Sequence, residues 1–247
     1  AAILGAALPN RFAMNGLLMD GALTFEGAAG TAFGRIDLAH LGISPSHTLT
    51  LSNAAIEDGL TLTRCITGRL NLGTVETDLH IVQTIVDGNG GPAVTASAVD
   101  LDVNGSTLIG ATGAGEVEAV DTIFDGPLVA ERTQAGCLQY SYYAPIGSRT
   151  PRRYRCQPDL ALTGRPPATE PGILAGLRPL YAADSFGDPD YGRLSDRAAA
   201  ELLTGASDNG AMGAWGFMKF GWRETNLAIA TQEYLPFGLM AGSVYET

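Results

Sequence analysis

Apolar and polar side chains alternate between residues 49 and 126 in a pattern that recurs four times. Each repeat consists of alternating apolar positions, a small polar bend, a pair of β-branched or leucine residues, and a glycine. The repeats are LTLSNAAIEDG (Leu49–Gly59), LHIVQTIVDG (Leu79–Gly88), LDVNGSTLIG (Leu101–Gly110) and VEAVDTIFDG (Val117–Gly126). Because a period of two places successive side chains on opposite faces of a strand, each repeat predicts two short strands around a bend.

The same alternation predicts which side chains point inward. Apolar residues occupy the inward positions Leu60, Leu62, Leu70, Leu72, Leu79, Ile81, Leu101 and Val103, and polar residues alternate with them at Thr61, Asn71, His80 and Asp102. No amphipathic stretch with a 3.6-residue period lies between the strands, which disfavours helical and leucine-rich repeats. From Gly68 to Gly126, recurring glycines are separated by steps of 20, 22 and 16 residues, a spacing typical of one unit that stacks on its neighbour. We therefore predict an all-β solenoid, a right-handed parallel β-helix.

The composition changes after about residue 136 and predicts the end of the solenoid. The segment QYSYYAPIGSRTPRRYRCQP is aromatic and basic, and GRPPATEPG is rich in proline. We expect an N-terminal cap or fragment start at 1–20, the β-helix with about six rungs at 21–135, and a small C-terminal α/β or irregular docking and capping module at 136–247. Within that module the sequence predicts helices at Asp196–Thr204 and Arg223–Tyr234 and a terminal strand-like GSVYET.

Overall composition narrows the function. Hydrophobic residues make up 45% of the chain and charged residues 17%, which is typical of a folded domain. The net charge of −11 makes nucleic acid an improbable partner. The chain lacks the roughly 18 consecutive apolar residues of a membrane span. Its three histidines and three cysteines have no metal-ligand spacing, so we predict no cofactor. Because the chain begins with Ala1, we expect processing or excision from a longer product.

A basic cluster near the start of the C-terminal module is the first candidate site. It contains Arg149, Arg152, Arg153, Tyr154 and Arg155. Guanidinium groups bind carboxylates and phosphates through paired hydrogen bonds, and tyrosines would supply stacking surfaces, so the cluster predicts a site for an anion or a partner. The favoured interpretation is intramolecular: the arginines pin the C-terminal module to acidic loops of the solenoid.

Carboxylates on the solenoid are the second candidate. Asp58, Asp87 and Asp125 recur before glycines at corners we expect to be equivalent, which makes them weak calcium candidates, although turn formation is the favoured role. Asp102 and Asp121 are candidates for the carboxylate pair of a glycoside hydrolase. His80 is expected on an outward position with Thr61 in register, and surface histidines are seldom catalytic bases.

The cysteines leave the cellular compartment undecided. Cys137 and Cys156 lie 19 residues apart and would pair in a secreted protein, whereas an odd, sparse set of cysteines favours a reducing compartment. Both cytoplasmic assembly into a particle and an extracellular location stay open.

Several long strings of the C-terminal half resemble a known group of sequences. The segment from Gly126 to Leu162, RPLYAADSFGDPDYGRLSD, ASDNGAMGAW and NLAIATQEYLPFGLMAGSVYET are similar to uncharacterised bacterial proteins with β-helix repeats. Those proteins look like companions of phage-tail-like, contractile injection gene clusters. The resemblance implies a structural component and no known activity, and the group's longer N-terminal region agrees with excision.

Three functions follow as hypotheses. The first is a non-enzymatic structural or adaptor module of a phage-tail-like particle, with protein partners. The second is a glycan-binding or glycan-cleaving β-helix, which as an enzyme would be a polysaccharide lyase or glycoside hydrolase. The third is a solenoid that self-associates into a homo-oligomeric filament or lattice through its open ends.

Overall fold

The protein is a parallel β-solenoid of about seven turns over residues 11–149, followed by a short mixed C-terminal region with few helices. The computed structural model describes residues 2–4, 10–27, 32–52, 55–236 and 238–239. The predicted fold class is confirmed. The strand ladder is longer at both ends than the range 21–135 expected from the sequence. Residues 1 and 5–9 of the expected N-terminal cap, and the string GSVYET, lie outside the described residues.

Most strands are short. They are β1 Ala2–Leu4, β2 Arg11–Asn15, β3 Leu18–Met19, β4 Leu23–Glu26, β5 Ala32–Phe33, β6 Arg35–Ala39, β7 Gly42–Ile43, β8 Leu49–Ser52, β9 Ala55–Ile56, β10 Leu60–Thr63, β11 Ile66–Thr67, β12 Leu70–Gly73, β13 Asp78–Val82, β14 Ile85–Asp87, β15 Val94–Asn104, β16 Thr107–Ile109, β17 Thr112–Val120, β18 Ile123–Ala130, β19 Cys137–Gln139, β20 Tyr142–Arg149 and β21 Arg152–Tyr154. All the pairs between these strands are parallel.

The strands form three sheets along the solenoid, here called sheets A, B and C, and each turn of the chain through them is a rung. Sheet A contains β2, β6, β10, β13, residues 100–104, residues 116–120, β19 and β21. Sheet B contains β3, β7, β11, β14, β16 and the N-terminal parts of β18 and β20. Sheet C contains β1, β4, β8, β12 and residues 94–96, 112–114 and 128–130. A separate pair joins β5 and β9.

Apolar side chains from all three sheets fill the interior in columns. On sheet A, one register position carries Ile36, Leu60, Leu79, Leu101 and Val117 on successive rungs, and each is at most 2% exposed. All eight residues predicted to point inward are buried. Full burial of such a side chain contributes roughly 1.5–3 kcal/mol, so the column is a principal source of stability. His80 pairs in register with Thr61 on the outer face, as predicted.

A left-handed residue turns the chain from sheet A to sheet B on every rung. The eight residues are Gly16, His40, Arg64, Gln83, Gly105, Asp121, Tyr140 and Arg155, with φ between 47° and 71°. Residues other than glycine adopt this conformation at a cost of roughly 1–2 kcal/mol. Because the conformation persists at six non-glycine residues of five types, the corner is imposed by the stack and not by a local glycine preference.

The residue after each left-handed corner is buried from the second rung onward, and the last six form a polar column, here called the corner ladder. Its members are Cys65, Thr84, Ser106, Thr122, Ser141 and Cys156. The Thr84 hydroxyl accepts a hydrogen bond from the backbone N–H of Cys65 at 3.1 Å, and the Ser106 hydroxyl accepts one from Thr84 at 3.1 Å. Each of these hydroxyls also donates to a carbonyl on its own rung at 2.9 Å. The ladder therefore satisfies backbone groups that the corner removes from the strand pairing.

The corner ladder accounts for the burial of two of the three cysteines. Cys65 and Cys156 are buried members of it, and each thiol donates to backbone carbonyls. Burial raises the pKa of both thiols. Cys137 lies on sheet A opposite Glu118, and all three cysteines are free. The pairing of Cys137 with Cys156 considered for a secreted protein is therefore not formed in this structure.

Two of the Asp-Gly glycines have a role different from the one predicted. The glycine of an Asp-Gly turn usually adopts the left-handed conformation, but Gly88 and Gly126 are not among the residues with positive φ. A β-carbon on Gly126 would lie 2.4 Å from the backbone of Gly110, and one on Gly88 would lie 2.4 Å from the carbonyl oxygen of Gly91. These glycines therefore allow backbones of adjacent segments to approach closely.

The C-terminal region contains short helices. They are α1 Asp159–Leu162, a 3₁₀ turn Pro167–Thr169, α2 Glu170–Gly176, α3 Ala200–Leu203, a 3₁₀ turn Gly216–Met218 and α4 Phe220–Tyr234. The predicted helix at 196–204 is shorter than expected, and the predicted helix at 223–234 begins three residues earlier. No helix in the described ranges has the length and apolar character needed to cross a membrane. Residues 1–217 form one compact unit, and residues 218–247 form a second.

Residues 177–217, here called the C-terminal extension, cover the outer face of sheet B. Ile123 and Tyr142 pack with Leu202 and Met212 in one buried cluster. The extension is also tied by polar contacts: the Tyr191 hydroxyl donates to Asp87, and Ala214 donates its N–H to the Thr107 hydroxyl at 3.0 Å. Sheet B is therefore covered on its outer face from Ile66 to Tyr142, although Leu18 on β3 is 79% exposed, whereas sheet A has an open outer face.

Candidate functional site

The basic cluster does not converge on one point. Arg149 donates to Glu131 at 2.7 Å and to the carbonyl of Ala130 at 3.0 Å, so it ties β20 to an acidic loop of the preceding rung. Arg155 lies over the ring of Tyr140 at 5.8 Å, and Tyr154 contacts the same ring edge to face at 5.7 Å. Each arginine thus has its own surroundings, and no shared clamp is formed by these side chains.

Arg153 closes the C-terminal end of the solenoid. It pairs in register with the inward residue Leu138, so its side chain lies over the last rung of the core. Its guanidinium binds Asp159 at 2.7 Å and lies 5.1 Å from the centre of the Tyr143 ring. The Tyr143 hydroxyl donates to the same carboxylate at 2.7 Å. Burial and this carboxylate raise the pKa of Tyr143 well above its usual value. The contact joins α1 to the core and acts as an end cap.

These contacts support the intramolecular interpretation for Arg149 and Arg153. Tyr142 and Tyr143, expected as stacking surfaces, are buried instead. Arg152 is exposed on β21 opposite Cys137, and it has no side-chain partner in the described part of the chain. Binding of an anion or a partner at Arg149, Arg152, Arg153, Tyr154 and Arg155 stays a prediction.

The three aspartates considered for calcium lie in two different places. Asp87 and Asp125 share one register position of sheet B and are separated by Ile109 on the intervening rung. Asp58 is exposed and lies just before β10, a strand of sheet A, so its corner is not equivalent to the corners of Asp87 and Asp125 on sheet B. Asp87 accepts hydrogen bonds from the Tyr191 hydroxyl and the Asn89 N–H. No group of three His, Cys, Asp or Glu side chains in the described ranges has a geometry suited to a metal ion.

The outer face of sheet A carries an acidic ladder. Asp78, Asp100 and Glu116 occupy one register position, and Asp102 and Glu118 occupy the next outward position. The His80 Nδ1 atom lies 3.4 Å from Asp102, and Arg132 forms ion pairs with Asp100 and Glu116. Asp121, proposed to pair with Asp102, lies instead at a corner, where its carboxylate accepts hydrogen bonds from the N–H and hydroxyl of Ser207 at 2.6 Å. The rung neighbour of Asp102 is therefore Glu118.

A pocket of about 700 Å³ lies where the ladder between β18 and β20 is interrupted. Phe124 pairs with Tyr143 and Pro127 with Ala144, so Asp125 and Gly126 have no residue opposite them in β20. A second irregularity follows in β20, which forms one wall with Pro145 and Ile146. The 3₁₀ turn and α2 supply the other wall through Pro167, Glu170, Pro171, Leu174 and Ala175. Bulges of this kind re-aim side chains and are over-represented beside binding sites.

Polar groups converge on one side of this pocket, here called the bulge pocket. Asp125, Tyr142 and Arg178 line it. Burial raises the pKa of Asp125, an effect opposed by the Tyr181 hydroxyl and the charge of Arg178. Burial and the charge of Asp125 raise the pKa of Tyr142. The Tyr181 hydroxyl is buried beside Asp125 but reaches no standard hydrogen-bond geometry with any described residue. Such a combination of an apolar cavity with convergent polar groups is typical of a binding site.

The sequence marks Asp125 only as a turn former and a weak calcium candidate, and it does not indicate the rest of the bulge pocket. Tyr142 stands out only as an aromatic residue before the basic cluster, and the proline-rich segment containing Pro167 and Pro171 predicts only a connector. The one signal in the sequence is a difference in length between two segments that lie on neighbouring rungs. Between Phe124 and Val129 the chain has fewer residues than between their partners Tyr143 and Arg149. Length alone does not reveal where an irregular segment folds.

Comparison with known protein families found no family model that matches the chain. No curated protein and no solved structure matches it either. What is established is therefore the fold, a parallel β-solenoid.

Proposed function

We propose that this chain is a non-enzymatic structural or adaptor module, a solenoid rod that belongs to a larger particle of the phage-tail-like, contractile injection type. The observation that carries the proposal is the second unit, residues 218–247. Its helix α4 has 15 residues, and Leu227, Ile229 and Tyr234 are 61%, 56% and 85% exposed. An isolated helix of this length is only marginally stable in water, and helices in proteins are stabilised mostly by packing. Leu227 and Tyr234 lie on one side of α4 and Ile229 lies on the opposite side, so a protein partner that contacts both sides of the helix would supply that packing.

The solenoid suits the part of a rigid spacer. Its corner ladder and apolar columns continue through successive rungs, and its sheet B is already covered by the C-terminal extension. The outer face of sheet A is polar and acidic, which favours solubility over stacking against another apolar surface. The resemblance of the C-terminal strings to proteins of injection gene clusters adds to this proposal.

The filament alternative receives less support. β21 is the last strand of sheet A, and two of its three residues are arginines. Charged side chains on an edge strand oppose pairing with the edge of another molecule. Arg153 and α1 also cover the core at this end. Sedimentation over a range of concentrations distinguishes the two, since a filament former would grow with concentration.

The adaptor proposal is tested by isolating intact contractile particles from the producing bacterium and detecting the chain by mass spectrometry. We expect the chain in the assembled fraction. A chain carrying Leu227→Asp and Ile229→Asp is expected to be lost from that fraction while keeping its circular dichroism spectrum. The matched control is Leu160→Asp, since Leu160 is also an exposed helical leucine but belongs to the first unit.

Two results would overturn the proposal. The first is absence of the unchanged chain from intact particles. The second is retention of the doubly substituted chain at the level of the Leu160→Asp control, which would remove α4 as the attachment.

A further inference from the structure

The bulge pocket is the place where this solenoid departs most from its own repeat. In earlier rungs sheet B passes directly into the next corner, and Asp87 pairs with Ile109 and Ile109 with Asp125 without interruption. After Phe124 the pairing with β20 shifts twice, and the outward side of sheet B opens into a cavity. Since a regular rung would close this space, the irregular segments of β18 and β20 build the cavity together.

The walls of the bulge pocket are apolar and stiff. Pro145, Pro167 and Pro171 contribute three rings with fixed backbone angles, and Leu174 lies between them on α2. The cavity volume of about 700 Å³ falls in the range of small-molecule sites. Preformed walls of this type bind a ligand without a large ordering cost.

The polar side of the bulge pocket offers both acceptors and a donor. Asp125 presents carboxylate oxygens, and Arg178 presents guanidinium N–H groups. The Tyr181 hydroxyl is buried beside Asp125 and is not among the groups that line the pocket. The lining charges have opposite signs, because Asp125 and Glu170 stand against Arg178. An anionic ligand would meet the two carboxylates, and a cationic ligand would meet the guanidinium.

A neutral polyhydroxy ligand fits this combination. A sugar hydroxyl both donates and accepts, so neighbouring hydroxyls satisfy a carboxylate and a guanidinium together. The C–H face of a sugar ring packs on proline, leucine and tyrosine surfaces. We propose that the bulge pocket binds the end of a neutral glycan, with Asp125 and Arg178 bonded to its hydroxyls and Leu174 and the prolines against its ring. This role is independent of the adaptor function, since it requires no particle.

The test is calorimetric titration of the purified full-length chain with glucose, galactose, mannose, N-acetylglucosamine, maltose, cellobiose and lactose. We expect saturable binding of at least one of them. Asp125→Asn is nearly isosteric and is expected to weaken that binding about tenfold or more, because it removes a charged acceptor. Ala175→Trp is expected to abolish binding, since Ala175 is an exposed residue on the pocket wall where an indole fills the mouth.

The matched control is Asp102→Asn, which changes a carboxylate on the outer face of sheet A and is expected to leave affinity unchanged. Thermal unfolding followed by circular dichroism verifies that each variant is folded. The proposal is overturned if none of the seven saccharides binds, or if Asp125→Asn and Ala175→Trp bind as the unchanged chain does. It is also overturned if galacturonate or glucosamine binds and the neutral sugars do not.

Discussion

Sheets A and B have the same parallel ladder and share a corner, yet their outer faces differ completely. On sheet A the outward positions carry carboxylates such as Asp102 and Glu118, and solvent covers them. On sheet B they carry Ile85, Ile123 and Tyr142, and the C-terminal extension covers them. Inward positions below the end cap are held apolar by the core on sheet A, and on sheet B they are apolar apart from the buried Thr67. The outward side chains of a solenoid are free of that constraint, so their polarity reports what packs against each face.

The largest expected effect comes from matched outward substitutions on the two sheets. Ile123→Ala removes a side chain that is 1% exposed and is expected to lower the free energy of unfolding by about 2–5 kcal/mol. Glu118→Ala on the exposed face is expected to change it by less than about 0.5 kcal/mol. Urea unfolding measures both. Equal effects would mean that the C-terminal extension does not protect sheet B in solution.

The corner shared by both sheets is examined by removing one hydroxyl of the corner ladder. Thr84→Val keeps the shape but leaves the N–H of Cys65 without its acceptor, at an expected cost of about 1–3 kcal/mol. The control Thr95→Val lies on an exposed outward position of sheet C and is expected to be nearly neutral. Thermal unfolding distinguishes the two variants. A neutral Thr84→Val would show that water or a shift of the backbone replaces the ladder.

Two aspartates, one on each sheet, are expected to make the stability of the protein depend on pH in opposite directions. Partial burial acts to raise the pKa of Asp37 on sheet A, but the hydrogen bonds from Arg35 and Arg11 outweigh it and the pKa is lowered. The stability that this ion pairing contributes is present at neutral pH and is lost as pH falls through the lowered pKa. Burial raises the pKa of Asp125 on sheet B, so the protein loses stability as pH rises from about 4 through that raised pKa.

Unfolding curves of Asp37→Asn and Asp125→Asn between about pH 2.5 and 7 check these signs. Asp37→Asn is expected to be less stable than the unchanged chain near neutrality by up to about 1 kcal/mol, with the difference vanishing in acid. Asp125→Asn is expected to gain stability relative to the unchanged chain as pH rises. The same trend for both variants would contradict the contrast between the faces.

An effect of similar, small size separates two adjacent arginines on β21. Arg153→Ala loses an ion pair with Asp159 and a contact with the Tyr143 ring, at an expected cost of about 0.5–1.5 kcal/mol. For a domain of this size that lowers the melting temperature by a few degrees. Arg152→Ala is expected to leave the melting temperature unchanged. Differential scanning calorimetry resolves the two, and a larger loss for Arg152→Ala would mean that the end cap is assigned to the wrong residue.

Much of the solenoid was predictable because its signals are local. The alternation around Leu79 and Ile81, and again around Leu101 and Val103, identified the strands, the inward positions and the parallel stack. The first repeat misled, since LTLSNAAIEDG spans β8 and β9 and its Asp58 lies at a different corner from Asp87. Alternating residues followed by Asp-Gly fit any strand that ends in a tight turn. Such a string does not specify which sheet the strand joins.

The repeat pattern already contains signals of the corner ladder and of the covered outer face of sheet B. The small polar bend in the last three repeats is the position of Thr84, Ser106 and Thr122, and these side chains are buried. The apolar pair that follows, as in Ile123-Phe124, has one residue facing the core and one facing the C-terminal extension. Two adjacent apolar residues in a strand indicate burial on both faces. The sequence has no comparable signal of the bulge pocket, because the pocket forms only where α2 packs beside β20.

By itself the sequence determined the period and the inward apolar columns, because both depend on residues close together in the chain. Tertiary structure alone decided that the C-terminal extension lies along sheet B, that Arg153 and Asp159 meet at the end of the core, and that Asp125 opens into a cavity. The first and the third of these outcomes join segments far apart in sequence, and the second depends on where α1 lies over the last rung. Their free energy comes from surfaces that become neighbours only after the rungs have stacked, so no local pattern encodes them.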